Sequence, residues 1–212
     1  GNLACMCNVL RIAISDNSFD VLEDGYGINL RPLSMFAASA YRDDPCTRFK
    51  PHILDQNIYD VVDPGLVAKM HKAITVIQFK VEGQIIKRHP EYGLNHRCLL
   101  EHVDFDKGTV EVDGKTYPML DMKFPTIDPK DPLKLTEQEA ELLQTLKMSF
   151  RHSGLLHKHI KFLYSHGSMY KCCNNNLLYH GCIPLKKDGS FDDIVFYGIP
   201  YSGKALMDFV DQ

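Results

Sequence analysis

Apolar residues recur every three or four positions in several segments of this chain, which is the spacing of a helix with one buried side. The longest such pattern begins at Asp63-Pro64 and continues to Arg88. Pro64 suits the first turn of a helix because the N–H group that proline lacks has no partner there. The apolar stripe of this helix consists of Leu66, Met70, Ile74, Ile77, Val81 and Ile85. Further helices are predicted over residues 3–14, 32–41, 136–150, 155–163 and 202–212.

Alternation of apolar and polar residues predicts strands in two parts of the chain. Residues 109–112 and 115–117 flank Asp113-Gly114, a dipeptide that favours the tight turn of a β-hairpin. Segment 43–64 is polar and broken by prolines, so a long loop is expected there. Further strands are predicted around residues 168–173, 177–180 and 194–197. The fold class is therefore expected to be α/β, mainly helical up to residue 165 and mainly β after it.

Composition excludes several classes of partner. The chain of 212 residues has a net charge of -3 and contains ten histidines. Hydrophobic residues make up 44% of the chain. The fraction of hydrophobic residues is ordinary for a globular protein, and the length suffices for a substantial core. The small negative charge gives no general attraction to nucleic acid or to an anionic membrane. No apolar stretch is long enough to span a membrane, so we expect neither partner.

The seven cysteines are irregularly spaced and odd in number, which does not resemble a framework of disulfides. We therefore expect reduced thiols and a cytoplasmic protein. A structural zinc site is an alternative because Cys172, Cys173, His180 and Cys182 lie within eleven residues. It is disfavoured, since no C-x-x-C pair is present and adjacent residues of a strand point to opposite faces.

His180 ends the apolar segment 177–180 and is followed at once by Gly181. A rigid strand can aim an imidazole at a metal ion, and a glycine leaves room beside it. The spacing alone supports a metal ligand and a buried, hydrogen-bonded structural histidine equally. A metal site needs further ligands, and no carboxylate lies at a recognisable spacing from His180.

Three other residues are candidates for binding phosphate. His166 precedes Gly167 at the edge of an apolar segment, and Arg151 and Lys161 lie in a stretch that also contains three histidines. Guanidinium and ammonium groups pair well with phosphate oxygens. A solvated basic helix face explains the same stretch equally well, and His166 has the same structural alternative as His180.

Two long and unusual blocks of sequence carry a family resemblance. The first is DVLEDGYGINLRPL at residues 20–33, and the second lies within residues 166–184 and contains HGSMY, NNN and LLYHGCIP. Both closely resemble class III, or Firmicutes-type, fructose-1,6-bisphosphatases, which belong to the calcineurin-like metallophosphoesterase superfamily. The resemblance runs over essentially the whole chain.

The resemblance implies part of a metallophosphoesterase β-sandwich core with a large, mainly helical insertion. Residues 1–19 would form a core helix, and residues 20–165 a helical insertion or cap with one β-hairpin. Residues 166–212 would supply core strands and a truncated helix. Both ends of the chain look cut, because neither terminal helix has the cap expected there.

The resemblance also implies a reaction and a cofactor. The family hydrolyses the 1-phosphate of fructose 1,6-bisphosphate to fructose 6-phosphate in gluconeogenesis, with a two-metal site that commonly holds Mn²⁺. His180 would be one metal ligand, because His180-Gly181 matches the strand-end H-G motif of the superfamily. The D-x-H, G-D-x-x-D-R-G, G-N-H-D/E and late G-H motifs are missing from the sequence. We therefore expect an internal fragment that is inactive by itself, and homo-oligomerisation stays open.

Two alternatives compete with this interpretation. One is a phosphoprotein phosphatase of the same superfamily, in which the strand-end motif normally reads H-G-G. Cys182 stands where that second glycine would be, which counts against it. The other is a non-catalytic helical module that serves assembly, in which the histidines are structural.

Overall fold

The computed structural model describes residues 2–52, 63–179 and 181–212. The predictions for His180 and for residues 53–62 of the loop 43–64 lie outside the described residues. The chain divides into two units, Gly1–Gly154 and Leu155–Gln212.

The described residues of the first unit form four α-helices, and the helices predicted for this part of the chain are confirmed to within a few residues. They are α1 (Asn2–Ser15), α2 (Arg31–Ala40), α3 (Pro64–Arg88) and α4 (Glu137–His152). Shorter helical turns cover Val21–Gly25, Thr47–Phe49, Pro90–Tyr92, Asn95–Arg97 and Leu99–His102.

Local side-chain caps explain where the two longest of these helices begin. The Asp63 carboxylate accepts hydrogen bonds from the backbone N–H groups of Gly65 and Leu66 at the start of α3. Thr136 and Glu139 form a capping box at the start of α4, as the sequence predicts. Both caps satisfy N–H groups that would otherwise lack partners in the first turn.

The single buried stripe predicted for α3 is wrong. Leu66 and Ile85 are only half-buried, whereas Lys72 and Lys80 are completely buried. The reason is that other elements cover α3 on several sides: α1 and α2 pack against it, and Leu133 lies over Gly83. A Cβ atom at Gly83 would lie 2.5 Å from Cδ2 of Leu133, so the small residue permits this close approach.

A three-stranded antiparallel sheet completes the first unit. It consists of β1 (Val103–Asp104), β2 (Thr109–Val112) and β3 (Lys115–Pro118), in that order. The predicted hairpin is confirmed: Val112 pairs with Lys115, and Asp113 and Gly114 have φ angles of 50° and 72°. Both angles lie in the left-handed region that a two-residue type I′ turn requires.

The second unit contains two helices and two separate hairpins among its described residues. Its elements are α5 (Gly154–His166, which starts at the boundary), β4 (Tyr170–Cys173), β5 (Asn176–Tyr179), β6 (Ile194–Phe196), β7 (Ile199–Tyr201) and α6 (Gly203–Asp211). β4 pairs with β5, and β6 pairs with β7, both antiparallel. Asn174 and Asn175 form the first hairpin turn with φ angles of 49° and 61°.

Many apolar side chains of the second unit are exposed. On α5, Phe162 and Leu163 are each 59% exposed and Tyr164 is 87% exposed. The successive residues Leu177, Leu178 and Tyr179 of β5 are also exposed, although neighbouring residues of a strand point to opposite faces. Among the described residues, neither face of the β4–β5 hairpin is therefore completely covered.

The structure is of the mixed α/β class, as predicted, with small antiparallel sheets. The metallophosphoesterase core and the domain boundaries at residues 19 and 165 stay predictions. None of the described helices is both long and apolar enough to cross a membrane.

Candidate functional site

The predicted metal ligand follows the end of strand β5. Tyr170 of β4 pairs with Tyr179, the last residue of β5, and His180 is next in the sequence. Gly181 has a φ angle of 88°, and a Cβ atom there would meet nothing within 4 Å. Glycine is therefore favoured at this position by its backbone conformation rather than by a lack of space. The role of His180 stays a prediction.

His166 lies at the C-terminal end of α5 and is exposed. Its ring stacks on Phe162 with the centroids 4.3 Å apart, and its Nδ1 lies 2.7 Å from the Oγ of Ser165. The next residue, Gly167, donates its N–H to the Leu163 carbonyl at 2.7 Å, and a Cβ atom there would lie 2.6 Å from that oxygen. The glycine thus permits the tight end of the helix, and the imidazole of His166 is held by its own helix.

The other two predicted phosphate-binding residues lie in different units of the structure. Arg151 is exposed in the last turn of α4 and belongs to the first unit, whereas Lys161 is exposed on α5 in the second. Lys161 and His166 are five positions apart, which places them about 140° apart around a helix. These two side chains therefore do not share one side of α5.

A metal site is not formed by the described residues alone. Among them, no group of three or more His, Cys, Asp or Glu side chains is placed to hold a metal ion. Cys172 and Cys173 are adjacent on β4, and both are exposed free thiols, as is Cys182. The described residues thus do not fit a metal centre by themselves.

The end of the hairpin that leads to His180 is tied to α6. The Tyr170 hydroxyl donates to Oδ1 of Asp208 at 2.9 Å, and Nζ of Lys204 lies 2.6 Å from Oδ2 of the same carboxylate. The backbone N–H of Met169 donates to Asp211 at 2.9 Å. Hydrogen bonds from Lys204 and Tyr170 lower the pKa of Asp208, and the hydrogen bond to Asp208 raises the pKa of Lys204.

Sequence reasoning missed this connection. The Lys204–Asp208 spacing of four residues is a helical ion-pair signal that was available. The contact with Tyr170 spans 38 positions and has no local signal.

Sequence reasoning also missed a buried cation in the first unit. Nζ of Lys72 lies 2.6 Å from Asp44 and 2.7 Å from Asp121, and the lysine side chain has no exposed surface. The rings of Phe124, Phe49 and Tyr41 surround it, with centroids 5.2, 5.7 and 6.0 Å from Nζ. Two carboxylates and three ring faces thus compensate the charge that burial would otherwise disfavour.

A second buried lysine joins α3 to α4. Nζ of Lys80 lies 2.7 Å from Oε2 of Glu139 and donates a second hydrogen bond to the Thr126 carbonyl at 2.5 Å. The same Oε2 accepts the Thr136 N–H in the capping box. The other oxygen, Oε1, is buried and has no hydrogen-bond partner among the described residues.

An open cleft of about 510 Å³ lies beside the Lys72 cluster and is lined by residues 39–44 and 123–125. Arg42 and Lys123 contribute positive charge to its wall, while Asp43 and Asp44 contribute negative charge. Lys123 already donates to the Asp43 carbonyl at 3.2 Å. The mixed charges give this cleft no clear preference for an anion.

Comparison with known proteins gives a consistent result over the whole chain. A family described as Firmicute fructose-1,6-bisphosphatase matches residues 1–212. Similar proteins named "Fructose-1,6-bisphosphatase class 3" include one from Clostridium novyi, 50% identical over 212 residues, and one from Finegoldia magna, 51% identical over 212 residues. A third, from Bacteroides fragilis, is 48% identical over 213 residues.

These alignments cover all of this chain but only part of each relative. The covered share is 32% of the Clostridium novyi protein, 33% of the Finegoldia magna protein and 32% of the Bacteroides fragilis protein. The chain therefore spans about a third of the length of the curated relatives that it matches. No solved structure matches the chain. Because the family match extends from the first residue to the last, this chain belongs to the Firmicute fructose-1,6-bisphosphatase family.

Proposed function

We propose that this chain is part of a metal-dependent fructose-1,6-bisphosphatase. The enzyme hydrolyses the 1-phosphate of fructose 1,6-bisphosphate to fructose 6-phosphate and phosphate, in the cytoplasm and in gluconeogenesis. The observation that carries the proposal is the match of all 212 residues, at about 50% identity, to proteins named class 3 fructose-1,6-bisphosphatase.

In this proposal, residues 166–212 belong to a metallophosphoesterase β-sandwich core, with residues 1–19 as a core helix and residues 20–165 as an insertion or cap. The exposed apolar side chains of β5 support this assignment of the hairpin. A two-stranded hairpin is at best marginally stable in water, and it gains stability when a larger sheet or a helix covers its apolar face. Leu177 is 50% exposed and Leu178 is 57% exposed, and their side chains lie on opposite faces.

His180 is the proposed ligand of one metal ion, and Mn²⁺ is the proposed cofactor. The strand end before it and the left-handed backbone of Gly181 support this assignment, because together they make an abrupt turn directly after the histidine. Arg151, Lys161 and His166 are the proposed substrate-binding residues, since all three are exposed and have side chains that can bind phosphate oxygens. The remaining ligands would come from outside the described residues.

The proposal is tested on the full-length enzyme that contains this chain. Phosphate release is measured with Mn²⁺ present, once with fructose 1,6-bisphosphate and once with a phosphopeptide. We expect hydrolysis of the sugar bisphosphate only, and its loss after treatment with a chelator. Preference for the phosphopeptide would favour the phosphoprotein phosphatase alternative.

The metal ligand is tested with His180→Ala. We expect bound manganese to decrease and turnover to fall by about 100-fold or more, as for removal of a group that holds a catalytic metal. His96→Ala is the matched control, because His96 is exposed in a helical turn of the first unit. Unchanged manganese content and turnover in His180→Ala would reject the assignment of His180 and favour a structural role.

A further inference from the structure

We propose that Tyr170, Lys204 and Asp208 form a bracket that positions the end of strand β5 at Tyr179, directly before His180 in the sequence, for the reaction. This inference rests on the proposed function, because it concerns the strand that delivers His180. It assigns the three residues as positioning residues, since the bracket acts through the hairpin and not through contact with substrate.

The bracket lies at the open end of the β4–β5 hairpin, the end at which the chain continues into His180. The Asn174-Asn175 turn closes one end of the hairpin, and Tyr170 and Tyr179 form the pair at the other, open end. Asp208 of α6 accepts the hydroxyl of Tyr170, and Lys204 pairs with the remaining carboxylate oxygen. Both oxygens of Asp208 are therefore used, one toward the hairpin and one toward its own helix.

A second contact fixes the same end. The Met169 N–H, one residue before β4, donates to Asp211 at 2.9 Å. Asp208 and Asp211 are three positions apart, so they lie on one side of α6. One side of the helix thus contacts two successive residues of the chain as it enters β4.

Among the described residues, the contacts with α6 hold the open end of this short hairpin. In the part of the chain that the structure describes, each strand is four residues long, and β4 and β5 form a two-stranded sheet. The open end of a hairpin frays most easily, since no turn links its strands there. Asp208 is half-buried and Lys204 is exposed, so the bracket contributes little to global stability. Its effect on the position of the strand end is therefore separable from its effect on folding.

The experiment compares Asp208→Asn and Tyr170→Phe with the unchanged full-length enzyme. The matched control is Asp193→Asn, which removes one carboxylate from the same unit, where Asp193 pairs with Lys186 at 3.8 Å. The measurements are kcat, KM for fructose 1,6-bisphosphate, the midpoint of thermal unfolding, and hydrogen exchange of the amides of β5.

We expect Asp208→Asn and Tyr170→Phe to lower kcat about 10-fold while KM changes less than about twofold, because a misplaced catalytic group slows the reaction more than it weakens binding. Exchange at Tyr179 and its neighbours in β5 should become about 10-fold faster, since the open end opens more often. Asp208→Glu should restore part of kcat, and Asp193→Asn should change none of these values.

Three results would overturn the inference. The first is unchanged exchange in β5 in both variants, and the second is an equal loss of kcat in Asp193→Asn. The third is a lower thermal midpoint with kcat per folded molecule unchanged, which would indicate a purely structural role. If the unchanged enzyme does not hydrolyse fructose 1,6-bisphosphate, the proposed function fails by itself. The bracket is then judged on hydrogen exchange, where faster exchange at Tyr179 supports it and unchanged exchange overturns it.

Discussion

Nζ of Lys80 lies 2.7 Å from Oε2 of Glu139, and neither side chain has any exposed surface. The two residues are 59 positions apart, so the contact joins the middle of α3 to the first turn of α4. Because the same carboxylate oxygen closes the capping box with Thr136, one atom serves both a tertiary contact and a helix start. Loss of Lys80 would leave a buried carboxylate without its counter-charge.

Lys80→Met is expected to lower the free energy of unfolding by about 3–5 kcal/mol, the cost of leaving one partner of a buried ion pair uncompensated. Urea unfolding at pH 7 measures this change. Adding Glu139→Gln to Lys80→Met should recover about 1 kcal/mol or more, because glutamine keeps the acceptor for the Thr136 N–H and removes the unpaired charge.

Lys107→Met is the matched control for this substitution. Nζ of Lys107 lies 2.8 Å from Asp104, almost the same distance, but the two side chains are 78% and 37% exposed. An exposed pair contributes at most about 1 kcal/mol. If Lys80→Met lowers the free energy of unfolding by no more than Lys107→Met does, the buried pair does not stabilise the fold.

The Lys72 cluster predicts a pH dependence of stability. Burial by itself would raise the pKa of Asp44, but hydrogen bonds from Lys72 and from the Cys46 N–H outweigh it and lower the pKa below the ordinary value of 3.8. A folded-state pKa below the unfolded value means that the contribution is present above pH 3.8. It is lost as the pH falls below 3.8 through the folded-state pKa.

Asp44→Asn should therefore be less stable than the unchanged chain by about 1.5–3 kcal/mol at neutral pH, the range for hydrogen bonds to charged groups. Chemical unfolding at several pH values measures the difference, which should shrink as the pH falls below 3.8. Asp43→Asn is the control, because Asp43 precedes Asp44 in the sequence and its own side chain is exposed. A difference between Asp44→Asn and the unchanged chain that stays constant down to pH 2 would contradict the ionic role of Asp44.

Gly181→Ala should disturb the segment after β5. A non-glycine residue at a φ angle of 88° is strained by about 1–2 kcal/mol, although the space beside Gly181 is open. In the full-length enzyme we expect kcat/KM to fall about 10-fold or more, because the strained backbone moves the neighbouring His180. Kinetics with fructose 1,6-bisphosphate measures the loss.

Gly154→Ala separates this backbone effect from the added methyl group. A Cβ atom at Gly154 also meets nothing within 4 Å, but this glycine has no positive φ angle and starts α5. Alanine there should leave kcat/KM unchanged. Equal kinetics for the two variants would show that the backbone conformation of Gly181 is not needed.

Thiol reactivity should divide the seven cysteines of the 212-residue chain into two groups. Cys5, Cys172, Cys173 and Cys182 are exposed, whereas Cys7, Cys46 and Cys98 are buried. Burial raises the pKa of Cys7 and of Cys46 to about 12, so little reactive thiolate is present at pH 8.

A thiol-specific reagent at pH 8 should therefore give a fast phase of four equivalents in the native chain, one for each exposed cysteine. Cys182→Ser should remove one of them, and Cys46→Ser should remove none. A fast phase that includes Cys46 would mean that its surroundings are not packed as described. Titration of the unfolded chain gives the total and so checks that no disulfide has formed.

Several elements could be predicted because their causes are local. Asp63-Pro64 marks the start of α3 through a cap and a proline within the first turn. Asp113-Gly114 predicts the β2–β3 turn, because its residues tolerate the left-handed backbone that the turn needs. The burial of α3 could not be predicted in the same way, since it depends on which distant segments cover each side.

The sequence by itself determined the helices, the β2–β3 hairpin and, through its resemblance, the family. Periodicity, caps and turn residues act between neighbours in the chain, so they can be read without knowing the fold. Only the tertiary structure decided that Lys72 meets Asp44 and Asp121, and that Asp208 meets Tyr170 at the open end of the hairpin. These contacts join residues 28 to 49 positions apart. Such partners come together only when the helices and strands pack.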